Sequence, residues 1–123
     1  MDAGAILIIE DDEGLREALA DYLRYEGFRV DQAGEGGEGL ERLAASRPDV
    51  ILVDLFMPGM NGGQFLARLR ADATTRPIPA VLMSGTRPDG AVAASADLVL
   101  LKPFELDELL AAVQRFRPSV EAR

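Results

Sequence analysis

The chain has no cysteine, no histidine and no tryptophan, and one lysine against twelve arginines. Without histidine or cysteine there can be no Ser-His-Asp triad, no thiolate nucleophile and no ordinary zinc site. The lack of cysteine also leaves the redox compartment unmarked. Chemistry is left to Asp, Glu, Ser, Thr, Tyr, a single ammonium and any hard cation that oxygen ligands could hold. Long apolar runs are missing as well. None approaches the ~18 residues that a membrane span needs, and Met1 to Ala5 lead directly into a strand-like stretch instead of a basic segment and signal core. A cytoplasmic protein that does not enter the membrane is the expectation. Positive charge is scarce, and a net charge of −8 disfavours nucleic acid or anionic lipid as the main partner.

What is present is an alternation of short apolar runs and amphipathic stretches. With 123 residues, one domain spanning 1–123 is expected. Ile6 to Ile9, Val50 to Val53, Ala80 to Met83 and Leu98 to Leu101 are unbroken apolar runs of the kind buried on both faces of a sheet. A further strand is expected over Arg29 to Ala33. Between the runs, Glu13 to Tyr25 carries Leu15, Leu19, Tyr22 and Leu23 near one helical face, with Asp12 placed to cap it and Gly27 to stop it. Leu40, Leu43 and Ala44 mark a second helix that Pro48 closes, and Phe65, Leu66 and Leu69 mark a third. The stretch Gly85 to Ala96 supports only a couple of helical turns. Glu105 to Phe116, with Leu106, Leu109, Leu110 and Val113, closes the chain helically, and the tail Arg117 to Arg123 is expected to fray. Alternation of this type implies a parallel sheet with helices on both faces.

Ligands of such sheets bind beyond the carboxyl ends of the strands, and the reactive side chains sit there. Glu10-Asp11-Asp12 follow the first expected strand, Asp54 the third, Ser84 the fourth, and Lys102 the fifth. Crowded carboxylates repel one another unless a cation offsets them, and magnesium does so while keeping oxygen ligands and waters. Each residue also has a plainer role open to it. Asp12 is best read as a helix cap, Ser84 serves equally as a turn residue or as a phosphoryl donor, and a lysine is ordinarily a solvated charge. Lys102 nevertheless stands at the ligand edge of a chain that otherwise uses arginine, and a compact ammonium suits one phosphoryl oxygen. Pro103 restrains the backbone there, and a cis bond would aim the lysine inward.

One motif invites a different reading. Gly34-Glu35-Gly36-Gly37-Glu38-Gly39 matches the dinucleotide fingerprint between a strand and a helix. Glu35 and Glu38 would repel pyrophosphate, and the unit is the second of the chain instead of the first, so glycines in a solvated loop are expected.

Taken together, Ile-Leu-Ile-Ile-Glu10-Asp11-Asp12, Asp54-Leu-Phe-Met57-Pro58-Gly-Met60-Asn61-Gly62, Met83-Ser84-Gly85 and Leu101-Lys102-Pro103-Phe104 resemble the receiver domains of two-component response regulators, over essentially the whole chain. The resemblance implies a flavodoxin-like, doubly wound α/β fold with a five-stranded parallel sheet in the order 2-1-3-4-5. It implies Asp54 as the phosphoacceptor, taking a phosphoryl group from the phosphohistidine of a histidine kinase or histidine phosphotransfer protein. Asp11, Asp54 and the backbone carbonyl of Phe56 would contact Mg²⁺ directly, Glu10 would act through water, and Lys102 and Ser84 would hold phosphoryl oxygens. A change of surface would then be read by a downstream protein target.

Two departures from the family bear on the switch. The position three residues before the lysine is usually Tyr or Phe and here is Val99, which cannot swing inward in the same way. The segment from Ser84 to Lys102 is also short, so a trimmed fourth helix is expected. These departures keep open an interaction module that signals without phosphorylation. A haloacid-dehalogenase-type phosphatase also uses an aspartyl nucleophile, but it wants D-x-D where this chain has Glu10-Asp11-Asp12, and no cap domain is evident.

Overall fold

The apolar runs are unbroken because both faces of the sheet they form are covered. A computed structural model describes residues 3–116, so the C-terminal tail expected to fray lies outside the described residues. Strands β1 (Ala5–Ile9), β2 (Arg29–Ala33), β3 (Val50–Asp54), β4 (Ala80–Ser84) and β5 (Leu98–Leu101) alternate with helices α1 (Glu13–Tyr25), α2 (Gly36–Ala45), α3 (Gly62–Ala71), α4 (Gly90–Ser95) and α5 (Leu106–Gln114). The strands pair in parallel in the order β2-β1-β3-β4-β5. The expected flavodoxin-like sheet is therefore present. Among the described residues, no helix is long and apolar enough to cross a membrane.

Side-chain alternation divides the core in two. Ile6, Ile8, Val50, Leu52, Val81 and Met83 point to one face, where Leu19 and Leu23 of α1 and Leu109 and Val113 of α5 cover them. Leu7, Ile9, Ile51, Val53 and Leu82 point to the other, under Leu43 of α2 and Phe65, Leu66 and Leu69 of α3. A strand with period two can be apolar at every position only in such a three-layer arrangement. Asp12 caps α1 by accepting from the Leu15 N–H at 3.1 Å, as its residue type suggested. Gly27 then reverses the chain at φ +100°, where a side chain would be strained. Leu106 departs from expectation. It is about half exposed, and α5 is shorter at both ends than Glu105 to Phe116.

The glycine-rich segment also departs from expectation, because it is not a solvated loop. Its glycines begin α2, and Gly36 and Gly39 are buried. A Cβ on Gly39 would come within 2.6 Å of Ile9 Cδ1, and one on Gly36 within 2.8 Å of Met60 Sδ. The spacing reflects a helix lying close on the sheet and its loops, and the acids work within it. Glu35 accepts from the Glu38 N–H and Glu38 from the Gly34 N–H.

The fourth helix is six residues long and has no fully buried residue. Its hold comes mainly from α3. Arg70 donates through Nε to the Ser95 carbonyl at 2.9 Å, through Nη1 to the Arg76 and Ile78 carbonyls, and through Nη2 to Asp97 Oδ2 at 2.9 Å. Asp97 in turn accepts from the Ala80 N–H at 2.8 Å. One guanidinium thus ties the end of α4 to the start of β4.

Gly62 fixes the approach of α3 to the sheet edge. Its N–H donates to the Leu55 carbonyl at 2.8 Å, and an added Cβ would collide with the Asp54 carbonyl and come within 2.8 Å of Leu55 Cα. Backbone cannot yield there as a side chain could. Gly62→Ala is expected to lower stability by about 1–3 kcal/mol in urea unfolding followed by circular dichroism. An unchanged midpoint would show that the turn absorbs the methyl group.

Candidate functional site

The carboxyl ends of β1, β3 and β5 bring their polar residues to one edge. Asp54 is the last residue of β3 and is buried, and Glu10 follows β1 and is buried as well. The Lys102 ammonium reaches back to both, lying 2.7 Å from Asp54 Oδ1 and 3.3 Å from Glu10 Oε1. Carboxylate oxygens of Glu10, Asp11 and Asp54 lie within 4.8 Å of one another. Asp11, unlike the other two, is exposed. Two buried acids and one open acid around a common point form an all-oxygen donor set. That set fits a hard divalent cation which keeps part of its water shell.

Each of the two buried acids is braced by neighbouring backbone. Glu10 Oε2 accepts from the Asp12 N–H at 3.1 Å, which leaves Oε1 for the ammonium. Asp54 Oδ2 accepts from the Phe56 N–H at 3.1 Å, while the Phe56 ring stands exposed. Lys102 is held at its backbone by donation of its N–H to the Ser84 carbonyl at 2.7 Å, and the Lys102–Pro103 bond is cis. Ser84 is fully buried. Its hydroxyl donates to the Thr86 carbonyl and accepts from the Thr86 N–H at 3.1 Å. Of its two expected roles, the turn role is the one this structure displays. Val99 lies in register with Leu82 and packs half-buried against the apolar cluster beneath α3.

Sequence reasoning named Glu10, Asp11, Asp54, Ser84 and Lys102 but gave no role to two residues that hold them. Gly62 supports the Asp54 backbone. Arg16 Nη1 donates to the Glu10 carbonyl at 2.8 Å, and Arg16 Nε donates to Gln32 Oε1 at 3.2 Å. An arginine on the first turns of a helix reads as a solvated charge, so nothing local advertised it.

Charge and burial set the ionisation of the site. Burial is the largest influence on Glu10 and pushes its carboxyl above the ordinary value. The Asp12 N–H opposes this, Asp54 adds to it, and Lys102 opposes it again. Burial also pulls the Lys102 ammonium down, yet the hydrogen bonds and charges of Asp54 and Glu10 outweigh it and leave Lys102 raised. A carboxyl raised in the folded state binds its proton more tightly there than when unfolded. Its contribution to stability is therefore fully present below the unfolded value and is lost as pH rises through the folded one. Without divalent ions, the melting temperature of the wild type minus that of Glu10→Gln is expected to fall as pH rises past the ordinary carboxylate value. A difference that grows with pH would mean that pairing with Lys102 outweighs burial.

Comparison with known proteins agrees with this geometry. The model of the response regulator receiver domain matches residues 6–114. The response regulator MprA of Mycobacterium ulcerans is 38% identical over 112 residues, covering 89% of this chain and 48% of the relative. The chain thus spans about half the length of the curated relatives it matches. Among solved structures, the chemotaxis protein CheY4 of Vibrio cholerae superposes with a TM-score of 0.86 at 28% identity, over 94% of this chain and 99% of that one. The response regulator TrrA of Thermotoga maritima, in complex with Mg²⁺ and beryllofluoride, gives a TM-score of 0.83 at 28% identity, over 94% and 99% of the two chains. A five-stranded sheet in the order 2-1-3-4-5, a cluster of three acids at its edge and a family match across nearly all of its length lead to one conclusion: the chain belongs to the receiver domain family of the response regulators.

Proposed function

We propose that residues 1–123 form a single phosphoacceptor receiver domain in which Asp54 takes a phosphoryl group from the phosphohistidine of a histidine kinase or histidine phosphotransfer protein. The observation that carries this reading is the ammonium of Lys102 beside Asp54 Oδ1, at an edge where two further carboxylates converge. In the transfer, an Asp54 carboxylate oxygen bonds to phosphorus as the phosphorus–nitrogen bond of the donor imidazole breaks. The freed imidazole then takes up a proton from water. Asp54 becomes an acyl phosphate, and the new charge must be met on the spot.

The chain's own groups divide that work. Lys102 shifts from the carboxylate to a phosphoryl oxygen, which its flexible stem allows. Ser84 leaves its turn with Thr86 to donate a second hydrogen bond. Asp11, Asp54 and the Phe56 carbonyl would hold Mg²⁺, with Glu10 acting through water. When bound, the ion would supply charge neutralisation for the forming acyl phosphate. This is a self-modifying acceptor and not a turnover enzyme. Its signal is a change of surface read by a downstream protein in the cytoplasm, with no nucleic acid or membrane bound by this domain.

A second reading has its own support. Val99 occupies the place of the family's aromatic, and α4 is short and fastened at its end by Arg70. An interaction module that does not respond to phosphorylation would bind its partner equally well with and without beryllofluoride.

Acetyl phosphate with Mg²⁺ is expected to add one phosphoryl group to the wild type and none to Asp54→Asn, as read by intact-mass spectrometry. Labelling of the Asn variant at another residue would remove Asp54 from its role. Millimolar Mg²⁺ alone is expected to raise the melting temperature of the wild type by a few degrees and to have little effect on Asp11→Asn. A wild type indifferent to Mg²⁺ would argue against the cation site.

A further inference from the structure

We infer that Arg16 is a positioning residue of the cation site, setting the β1–α1 turn so that Glu10 and Asp11 are presented together with Asp54. The inference rests on the cation-dependent reading above and extends it to a side chain that touches neither the ion nor the acceptor.

Glu10 is the first residue beyond β1, so its backbone has lost the sheet on one side. Its N–H still donates to the Ala33 carbonyl of β2 at 3.1 Å, but its carbonyl is met by the Arg16 guanidinium at 2.8 Å. The same guanidinium donates to Gln32 Oε1, and Gln32 sits in register with Ile8 on the neighbouring strand. Arg16 is in turn fixed at its own backbone, where its N–H donates to the Asp12 carbonyl at 2.9 Å. A closed loop results: Glu10 to Asp12 through the chain, Asp12 to Arg16 through the first helical bond, and Arg16 back to Glu10 through its side chain. Asp11 lies inside that loop with both neighbours pinned.

The placement runs against simple electrostatics. A cation near the start of a helix faces the positive end of the helix dipole. A guanidinium next to the backbone of a cation ligand also repels the ion that the ligand would bind. These two costs are offset only in part by the nearby charge of Glu38, and the guanidinium's bonds to the Glu10 carbonyl and Gln32 point to a geometric role. The costs also supply a test of sign. If Arg16 acted only through its charge, removing it would tighten cation binding. If it positions the ligands, removing it loosens binding, typically by tenfold or more for groups that orient metal ligands.

Isothermal titration of the 123-residue chain with MgCl2 distinguishes the two. Arg16→Met, which keeps most of the stem, is expected to raise the Mg²⁺ dissociation constant about tenfold. Arg16→Lys retains the charge and one donor and is expected to recover part of that loss. Gln32→Ala, which frees the guanidinium at one end, is expected to raise the constant by a smaller factor. Because the effect is on ligand presentation, acetyl phosphate labelling of Arg16→Met returns toward the wild-type rate at high Mg²⁺, whereas a general loss of folding would not be repaired in this way. Unchanged or tighter binding in Arg16→Met overturns the inference. Should that variant not fold, unchanged binding in both Arg16→Lys and Gln32→Ala overturns it. A wild type that does not bind Mg²⁺ overturns the cation reading itself, whereas a wild type that binds beside an Arg16→Met that binds equally well overturns only the role of Arg16.

Discussion

An ammonium held between two buried carboxylates, Lys102 with Asp54 and Glu10, organises the sheet edge around which the strand ends and their turns are fitted. Such a group is a poor means of stabilising a fold, since taking the charges out of water costs about as much as their attraction returns. Stability comes instead from the two apolar layers on either side of the sheet. Among the described residues, the buried polar side chains Glu10, Asp54 and Ser84 collect at the sheet edge. A cluster that does little for stability and sits where parallel sheets bind ligands is best understood through its chemistry. The ammonium serves as counter-ion for acids that would otherwise stand uncompensated.

That arrangement asks for precision from turns, which are the least rigid parts of a fold. Each turn has its own brace. The first is closed by the Asp12 cap and the Arg16 guanidinium. The third strand's end is held by the Phe56 N–H on Asp54 and by Gly62, whose missing side chain lets α3 begin against the Asp54 backbone. The fifth is tied across to Ser84 through the Lys102 N–H. Distributed bracing of this kind lets a site assembled from separate strand ends behave as one preorganised unit.

The fold was largely legible because its signals are coarse and repeated. Unbroken runs such as Ile6 to Ile9 announce a sheet covered on both faces, and the residue after each run falls at the ligand edge by topology alone. Asp54 and Lys102 could be named without coordinates for that reason. The resemblance to a family then supplied strand order and roles that periodicity does not contain. What stayed hidden depends on close approach in space. Gly39 was expected in a solvated loop and Gly62 carried no role of its own, although one lies against Ile9 and the other against Asp54. Arg16 and Arg70 carried no signal of their own, although their work is to satisfy carbonyls at element ends. Leu106 misled in the opposite direction, since helical spacing placed it in the core and the short α5 leaves it exposed. Residue type shows what a side chain can do, and only packing shows what it meets.

The side of the sheet away from Glu10 bears on how a signal would leave the site. Ser84 ends β4, and its hydroxyl is engaged with Thr86. On the proposed chemistry, turning that hydroxyl toward Asp54 frees the segment that leads into Asp89, the cap of α4. The far end of α4 is not free to follow, because Ser95 and Asp97 are both bound by Arg70. On that chemistry, rearrangement would be confined to the approach to α4 and the first turn of that helix, where Val92 lies over α3 so closely that a Cβ on Gly63 would come within 2.9 Å of it. Val99, packed beside Leu82, is too small to carry a large displacement to the outer face. On that proposal, the surface that would alter lies near the acceptor itself, between the loop after β3 and the loop after β4, and a partner sensing the phosphorylated state would contact that region.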